Sequence, residues 1–342
     1  MPYRLEFRRY RLPFRSPLRT AHGLWSDREG LVLKLVNEAG LTGFGEVAPI
    51  PWFGTETLED AEAMLAKLGG TLDAGCVEQV DERHGCLRFA LASALGRAVG
   101  APAAVRLPVA ALLPAGKPAC GAADEALAAG YVAFKWKVGV LDDGDEWVVL
   151  DDLLSRLPDY AKLRLDANGA WTTRRAVRWL ERCAERPIEF VEQPCFADAS
   201  QGAALQNRMD DALLGLAADY PTPIALDESV AGLSSLRRWL ERGWSGVVVV
   251  KPALAGDPAG VLALLAEHQA DAVFSSAFET GVGRQAALRM AFAFKSPQPR
   301  ALGFGVGPLF QDSRFDGVPP VPFLEPVAMS HLQPEAIWNV LS

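Results

Sequence analysis

Five charged residues close five consecutive apolar runs, each with the composition of a β-strand. Lys137 ends YVAFKWK, Asp166 ends KLRLD, Glu192 ends IEFVE, Asp227 ends PIALD and Lys251 ends GVVVVK. Successive spacings are 29, 26, 35 and 24 residues, each enough for one strand and one helix, such as the helical pattern over 172–185. Strand-like runs that alternate with helical stretches imply βαβ units and a parallel sheet. In a closed (β/α)8 arrangement, residues at the C-terminal ends of the strands converge on one mouth. Three carboxylates between two lysines at such a mouth describe a divalent-cation site with two candidate proton carriers.

Asp166, Glu192 and Asp227 offer hard oxygen ligands and no histidine, which selects Mg²⁺ (or Mn²⁺) over Zn²⁺. A lone acid after a strand is more often a helix N-cap. Three at matching strand ends, in the strings LDANG, VEQP and LDES, argue for a metal site. With three protein ligands, an octahedral ion keeps about three positions for water or substrate oxygens. Three carboxylates also leave a net negative charge on a divalent ion, which Lys137 and Lys251 offset if protonated. Lys135 and Lys137 are two apart on one strand and leave by the same face. Neighbouring cations favour the neutral amine, so this pair is expected to have lowered pKa values, in the range of a general base. The alternative, a solvated KWK edge, suits VAFKWKVG poorly because the lysines stand among apolar residues.

The elements that must position these residues fall in two groups. Over residues 1–100, LVLKLV (31–36), NEAG and LTGFGEVAP (41–49) give a β-hairpin pattern, with helical stretches near 57–67 and 83–98. The repeat begins near Leu107, with strands expected at 107–112, 131–138, 162–167, 188–193, 222–227, 246–251, 271–277 and 301–305. A Pro-rich stretch from about 315 and a helical end (334–341) follow. The length, 342 residues, suits about two domains. Half of the chain is hydrophobic and 22% charged, as expected for a globular protein with a large core.

Acidic residues outnumber basic ones 42 to 34, and no basic cluster with interleaved aromatics exists, so nucleic acid is not an expected partner. The basic N-terminus lacks an apolar h-region, and no run is long enough for a bilayer span. The five cysteines share no CxxC spacing, and a reducing, cytoplasmic setting is expected. Sequence sets no oligomeric state.

The Lys135/Lys137 pair, the Asp/Glu/Asp triplet and Lys251 together resemble the enolase superfamily, in its muconate-lactonizing subgroup. GFGEVAP (43–49) is similar to the capping-domain hairpin of that family, and SSAFETGVG (275–283) to its seventh-strand motif. The resemblance implies a (β/α)7β TIM-type barrel (103–314), an N-terminal α+β capping domain (1–102), and a C-terminal tail (315–342) that returns to the capping domain. It implies Mg²⁺-assisted removal of a proton α to a carboxylate, with Lys137 as base, Lys135 as its electrostatic helper and Lys251 opposite. Strand eight, ALGFG (301–305), lacks the acid pair that holds a substrate ammonium in dipeptide epimerases. A small carboxylate with an apolar body therefore fits better, and dehydration of a cyclohexadiene carboxylate to an aromatic acid for menaquinone or phylloquinone synthesis is the expected chemistry. N-acylamino acid racemisation or muconate-type cycloisomerisation are the alternatives within the family, and a catalytically silent binding barrel is the alternative outside it.

The substrate is expected to meet Ser275, Ser276 and the helix start at Gly281, with Asn168 and Arg164 beside the metal ligands. The segment 15–25 is similar to a loop that closes over substrate in this family. Trp25, Trp52 and Phe53 either line that closure or pack between domains.

Overall fold

Arginines and apolar residues alternate along Tyr3–Thr20, the first strand (β1), which pairs antiparallel with β2 (Gly23–Asn37) from Tyr3–Asn37 down to Thr20–Gly23. β3 (Thr42–Val47) adds to β2, and β4 (Thr71–Leu72) reaches only Tyr3 and Arg4, giving the order β3-β2-β1-β4. Further along, Phe14 of β1 bridges Phe310, with Arg15 N–H on the Leu309 carbonyl at 2.7 Å and Gln311 N–H on the Pro13 carbonyl at 3.0 Å. Three helices, α1 (Leu58–Leu68), α2 (Cys76–Gln79) and α3 (Gly85–Ala94), accompany this sheet, α1 starting at a Thr57–Asp60 capping box. The computed structural model describes residues 2–20, 23–97, 106–197, 201–296 and 299–341. The domain boundary expected at 102/103 lies outside the described residues, as do residues 21–22 of the 15–25 segment. That segment is otherwise not a loop: Leu18 pairs with Trp25 and Arg19 with Leu24, so it forms the end of a long hairpin, after a register shift between Pro13 and Leu18.

The expected strand at 107–112 is two strands. β5 (Leu107–Pro108) pairs antiparallel with a late strand, Phe323–Leu324, whereas β6 (Ala110–Leu113) begins the parallel sheet. β7 (Ala133–Lys137), β8 (Lys162–Asp166), β9 (Ile188–Glu192), β10 (Ile224–Leu226), β11 (Val247–Val250) and β12 (Asp271–Phe274) follow in spatial order as in sequence. Each crossover carries at least one helix: α4 (Pro118–Ala128), α5 (Asp143–Arg156), α6 (Thr173–Cys183), α7 (Ala203–Asp219), α8 (Leu233–Glu241), then α9 (Pro252–Ala255) and α10 (Pro258–Glu267). α11 (Gly281–Ala293) follows β12.

Nearest-neighbour order curls the sheet, and the segment around Leu302 touches both of its edges. Leu302 N–H donates to Pro108 at 2.8 Å, Ala110 N–H to Leu302 at 2.9 Å, and Gly303 N–H to Phe274 at 2.8 Å. Inside the curl lie two small apolar clusters, Phe190 with Ala225, Val247, Val249 and Val273, and Ala110 with Ala133 and Ala301. The strands' other faces belong to the main core, where Trp136, Trp179 and Trp239 are fully buried.

Two buried charged residues join the N-terminal sheet to the parallel unit. Arg28 donates to the carbonyls of Glu29, Ala48 and Pro49 on one side and of Ala277 and Phe278 on the other. Glu46 accepts from Tyr10 Oη at 2.6 Å, Thr280 N–H at 2.9 Å and Gly283 N–H at 2.8 Å. The last helix, α12 (Pro334–Val340), packs Ile337 and Trp338 with Tyr10, Phe14 and Val32, and the Arg8 guanidinium lies 4.4 Å over the Trp338 ring.

Candidate active site

Strand register brings the five tips together. Lys137 pairs with Asp166, Asp166 with Glu192, and Glu192 with Ala225, two residues before Asp227. Alternation within each strand turns Lys135, Lys137, Arg164, Asp166 and Glu192 to the inner face. The Lys135 Nζ sits 2.8 Å from Asp166 and 2.7 Å from Glu192, and Lys251 Nζ bonds Asp227 directly. Asp166, Glu192, Asp227 and Lys251 are all buried.

Burial pushes the Glu192 carboxyl above its ordinary value, Asp166 and Asp227 add to this, and Lys135 pulls it back. Burial alone lowers the Lys135 pKa, but Asp166, Glu192 and Asp227 outweigh it and hold the pKa above that of a free lysine. This corrects the expectation that Lys135 is shifted down. A second ammonium nearby matters less than two carboxylates in direct contact.

The backbone after each tip is constrained. Asn168 and Gln193 have φ of 44° and 35°, in the left-handed region that non-glycine residues rarely occupy. Asn168 N–H bonds Asp166 Oδ1 at 3.1 Å, and Gly169 N–H bonds the Gln193 carbonyl at 2.7 Å. A side chain on Gly169 (φ 69°) would collide with Phe196, so glycine is required there. The Gln193 amide oxygen accepts from the Asp227 and Ser229 N–H groups at 2.9 and 3.2 Å, fixing the peptide that carries the third carboxylate.

Three expected substrate contacts are engaged elsewhere. Arg164 donates to Glu189 at 2.7 Å and to the Ala301 carbonyl at 2.8 Å, so its guanidinium closes the interior below the tips. Ser276 Oγ is enclosed by Glu279, Arg284 and the Phe278 N–H. The helix start at Gly281 is also taken, because Glu46 occupies the amides of Thr280 and Gly283. Ser275 remains on the inner face, its Oγ 3.2 Å from the Gly303 carbonyl. Trp25 lies in an aromatic cluster, edge-on to Phe14 (5.1 Å), Trp52 (4.9 Å) and Phe278 (5.7 Å). Neighbouring Phe53 places its ring 4.6 Å from Lys251 Nζ.

Glu228 and Gln193 belong to the site but were not singled out as site residues from sequence, although both stand in the strings LDES and VEQP. The Glu228 carboxyl is raised by burial and then by Asp227, and Asn168 Nδ2 reaches it at 3.5 Å.

Among the described residues, no group of three His, Cys, Asp or Glu side chains is gathered tightly enough to grip one ion. Lysine ammonium groups lie on the carboxylates instead. The donor chemistry nevertheless fits a hard divalent cation. Three buried carboxylates on neighbouring strand tips face one another closely enough for Asp166 and Asp227 to shift Glu192.

Fold and site together define an enzyme of the enolase superfamily. Residues 120–322 match the family described as enolase C-terminal domain-like, and residues 3–96 match MenC, N-terminal domain. The chain is 40% identical to o-succinylbenzoate synthase of Thermosynechococcus vestitus over 310 residues, 89% of this chain and 92% of that protein. The same enzyme from Yersinia enterocolitica is 32% identical, over 83% of this chain and 84% of its own. The solved o-succinylbenzoate synthase of Thermosynechococcus elongatus, complexed with Mg in the active site, superposes with a TM-score of 0.82 at 36% identity, covering 98% of this chain and 99% of that one. An N-succinyl Arg/Lys racemase from Bacillus cereus shares the fold at 18% identity, with a TM-score of 0.76 over 97% of this chain and 98% of its own. The chain belongs to the o-succinylbenzoate synthase family.

Proposed function

We propose that this protein converts 2-succinyl-6-hydroxy-2,4-cyclohexadiene-1-carboxylate to o-succinylbenzoate by syn elimination of water, in menaquinone or phylloquinone synthesis. The observation that carries this reading is the convergence of Lys135, Lys137, Asp166, Glu192, Asp227 and Lys251 on one inner face, in a chain 40% identical to a known o-succinylbenzoate synthase. Asp166, Glu192 and Asp227 would hold Mg²⁺, or Mn²⁺ in its place. Bound there, the ion supplies positive charge beside the substrate carboxylate, which makes the neighbouring C–H more acidic.

The chain's own residues account for the rest. Lys137 takes the proton α to the carboxylate and returns a proton to the β-hydroxyl, which departs as water from the same face. Lys135, between Asp166 and Glu192, orients both carboxylates. Lys251, held by Asp227, stabilises negative charge on the substrate without exchanging a proton. Ser275 and Asn168 offer polar contacts, and Trp25 with Trp52 and Phe53 an apolar roof. In this reading the parallel unit is a (β/α)7β barrel over 103–314, with the Leu302 segment as eighth strand. Residues 1–102 form its cap and 315–342 return to it. A cytoplasmic setting suits the five buried cysteines, which form no disulfide.

The competing reading is a racemase in which Lys251 exchanges a proton. Incubation in D₂O with N-succinylamino acids and, separately, with the cyclohexadiene substrate tells them apart. The dehydration reading expects aromatic product from the second and only slow α-deuteration of the first. Rapid deuteration and racemisation without dehydration would establish the racemase instead.

A further inference from the structure

We propose that Glu56 is a positioning residue that sets the Phe53 ring against the Lys251 ammonium. Phe53 lies on a short helical turn, Pro51–Phe53, whose ring stands 4.6 Å from Lys251 Nζ. The turn is closed at its base by Ile50 N–H on Thr55 Oγ1, at 2.9 Å. The next residue, Glu56, is buried, and its carboxylate accepts from Leu87 N–H at 2.8 Å and Cys86 N–H at 3.3 Å. Both donors open α3.

α3 in turn packs on α9, the short helix that begins immediately after Lys251. The approach is close enough that a side chain on Gly85 would collide with the Leu254 carbonyl. The Lys251 carbonyl accepts from Leu254 and Ala255 at 2.9 and 3.1 Å, so α9 and Lys251 move as one piece. A closed mechanical circuit results: Lys251, α9, α3, Glu56, the 51–55 turn, Phe53 and back to Lys251. Glu56 is the side chain that ties the 51–55 turn to α3, through two backbone amides, and its hydrogen bonds go to neither Lys251 nor the strand tips. Its removal frees the turn, and Phe53 no longer limits the directions open to the Lys251 side chain, leaving Asp227 alone to hold it.

The inference rests on Lys251 acting in the chemistry, and a double-mutant cycle tests it. Glu56→Ala, Phe53→Leu and the double variant are measured on whichever carboxylate substrate the wild type turns over, so failure of the dehydration reading alone leaves the test intact. Each single variant should lower kcat about ten- to a hundredfold with KM changed less, the size of effect expected when a reacting group is held about 1 Å out of place. The double variant should be no worse than the poorer single one, because both act through one contact. Glu56→Gln, which keeps the volume and one acceptor, should recover most of the loss, and Glu56→Asp, too short to reach both amides, takes the place of Glu56→Ala if that variant fails to fold. Losses that multiply in the double variant would overturn the proposal. So would a folded Glu56→Ala enzyme of lowered melting temperature whose kcat stays within about twofold of wild type.

Discussion

Lys135 and Lys137 share a strand face but meet different surroundings. Lys135 is locked between two carboxylates that keep it charged, whereas Lys137 carries no such ion pair among those found. A protonated, immobilised amine is a poor proton acceptor, which favours the proposal that Lys137 is the base. Lys137→Ala should cost several powers of ten in kcat, each power being about 1.4 kcal/mol of barrier. Steady-state kinetics check this, and a variant within tenfold of wild type would remove Lys137 from the role. The five strand tips were legible in the sequence because each ends an apolar run, with room for one helix and one strand before the next. Ser276 and Gly281 misled because their partners cannot be read locally. Glu46, which takes the start of α11, is 234 residues from Thr280. Glu228 and Gln193 escaped because a second polar residue after a strand carries no signal until the fold shows which way it points.

β9 carries a feature that periodicity alone hides. Its register against β8 slips between Leu163 and Arg164, which pair with Ile188 and Phe190, so Glu189 bulges out of the ladder. There Glu189 meets Arg164 at 2.7 Å and Arg300 at 2.7 Å, and Arg300 also holds Asp271. Burial pushes the Glu189 carboxyl up, but Arg164 and then Arg300 outweigh it and hold it below the ordinary value. Its contribution to stability is therefore present above the unfolded carboxyl pKa, about 4.3, and is lost as pH falls through the lower folded value. Glu189→Gln strands a buried guanidinium and should destabilise by about 3 kcal/mol near neutral pH. Urea titrations of both proteins should find that gap narrowing below about pH 4, and a gap that instead widens in acid would contradict the assignment. At this scale the alternating strands and helices were readable, with ends off by a few residues. β1 was not, since Pro13, Pro17 and its arginines obscure the strand, and Pro17 falls where its register on β2 shifts.

The whole molecule depends on a seam that no local pattern announces. Arg28, fully buried, donates to carbonyls from both sides. Arg28→Lys keeps the charge but cannot span these acceptors, and should cost about 2–3 kcal/mol of stability. Chemical denaturation measures this, and a loss under about 0.5 kcal/mol would mean the seam rests on Glu46 and apolar packing. The same seam holds the Ala277–Phe278 turn and the Ala48–Pro49 stretch beside the aromatic roof, so activity and stability should fall together in that variant. Purified protein with Mg²⁺ should convert the cyclohexadiene substrate to o-succinylbenzoate, lose that activity on exhaustive chelation and regain it when Mg²⁺ is restored. Full activity after chelation, or no aromatic product with Mg²⁺ present, would contradict the account.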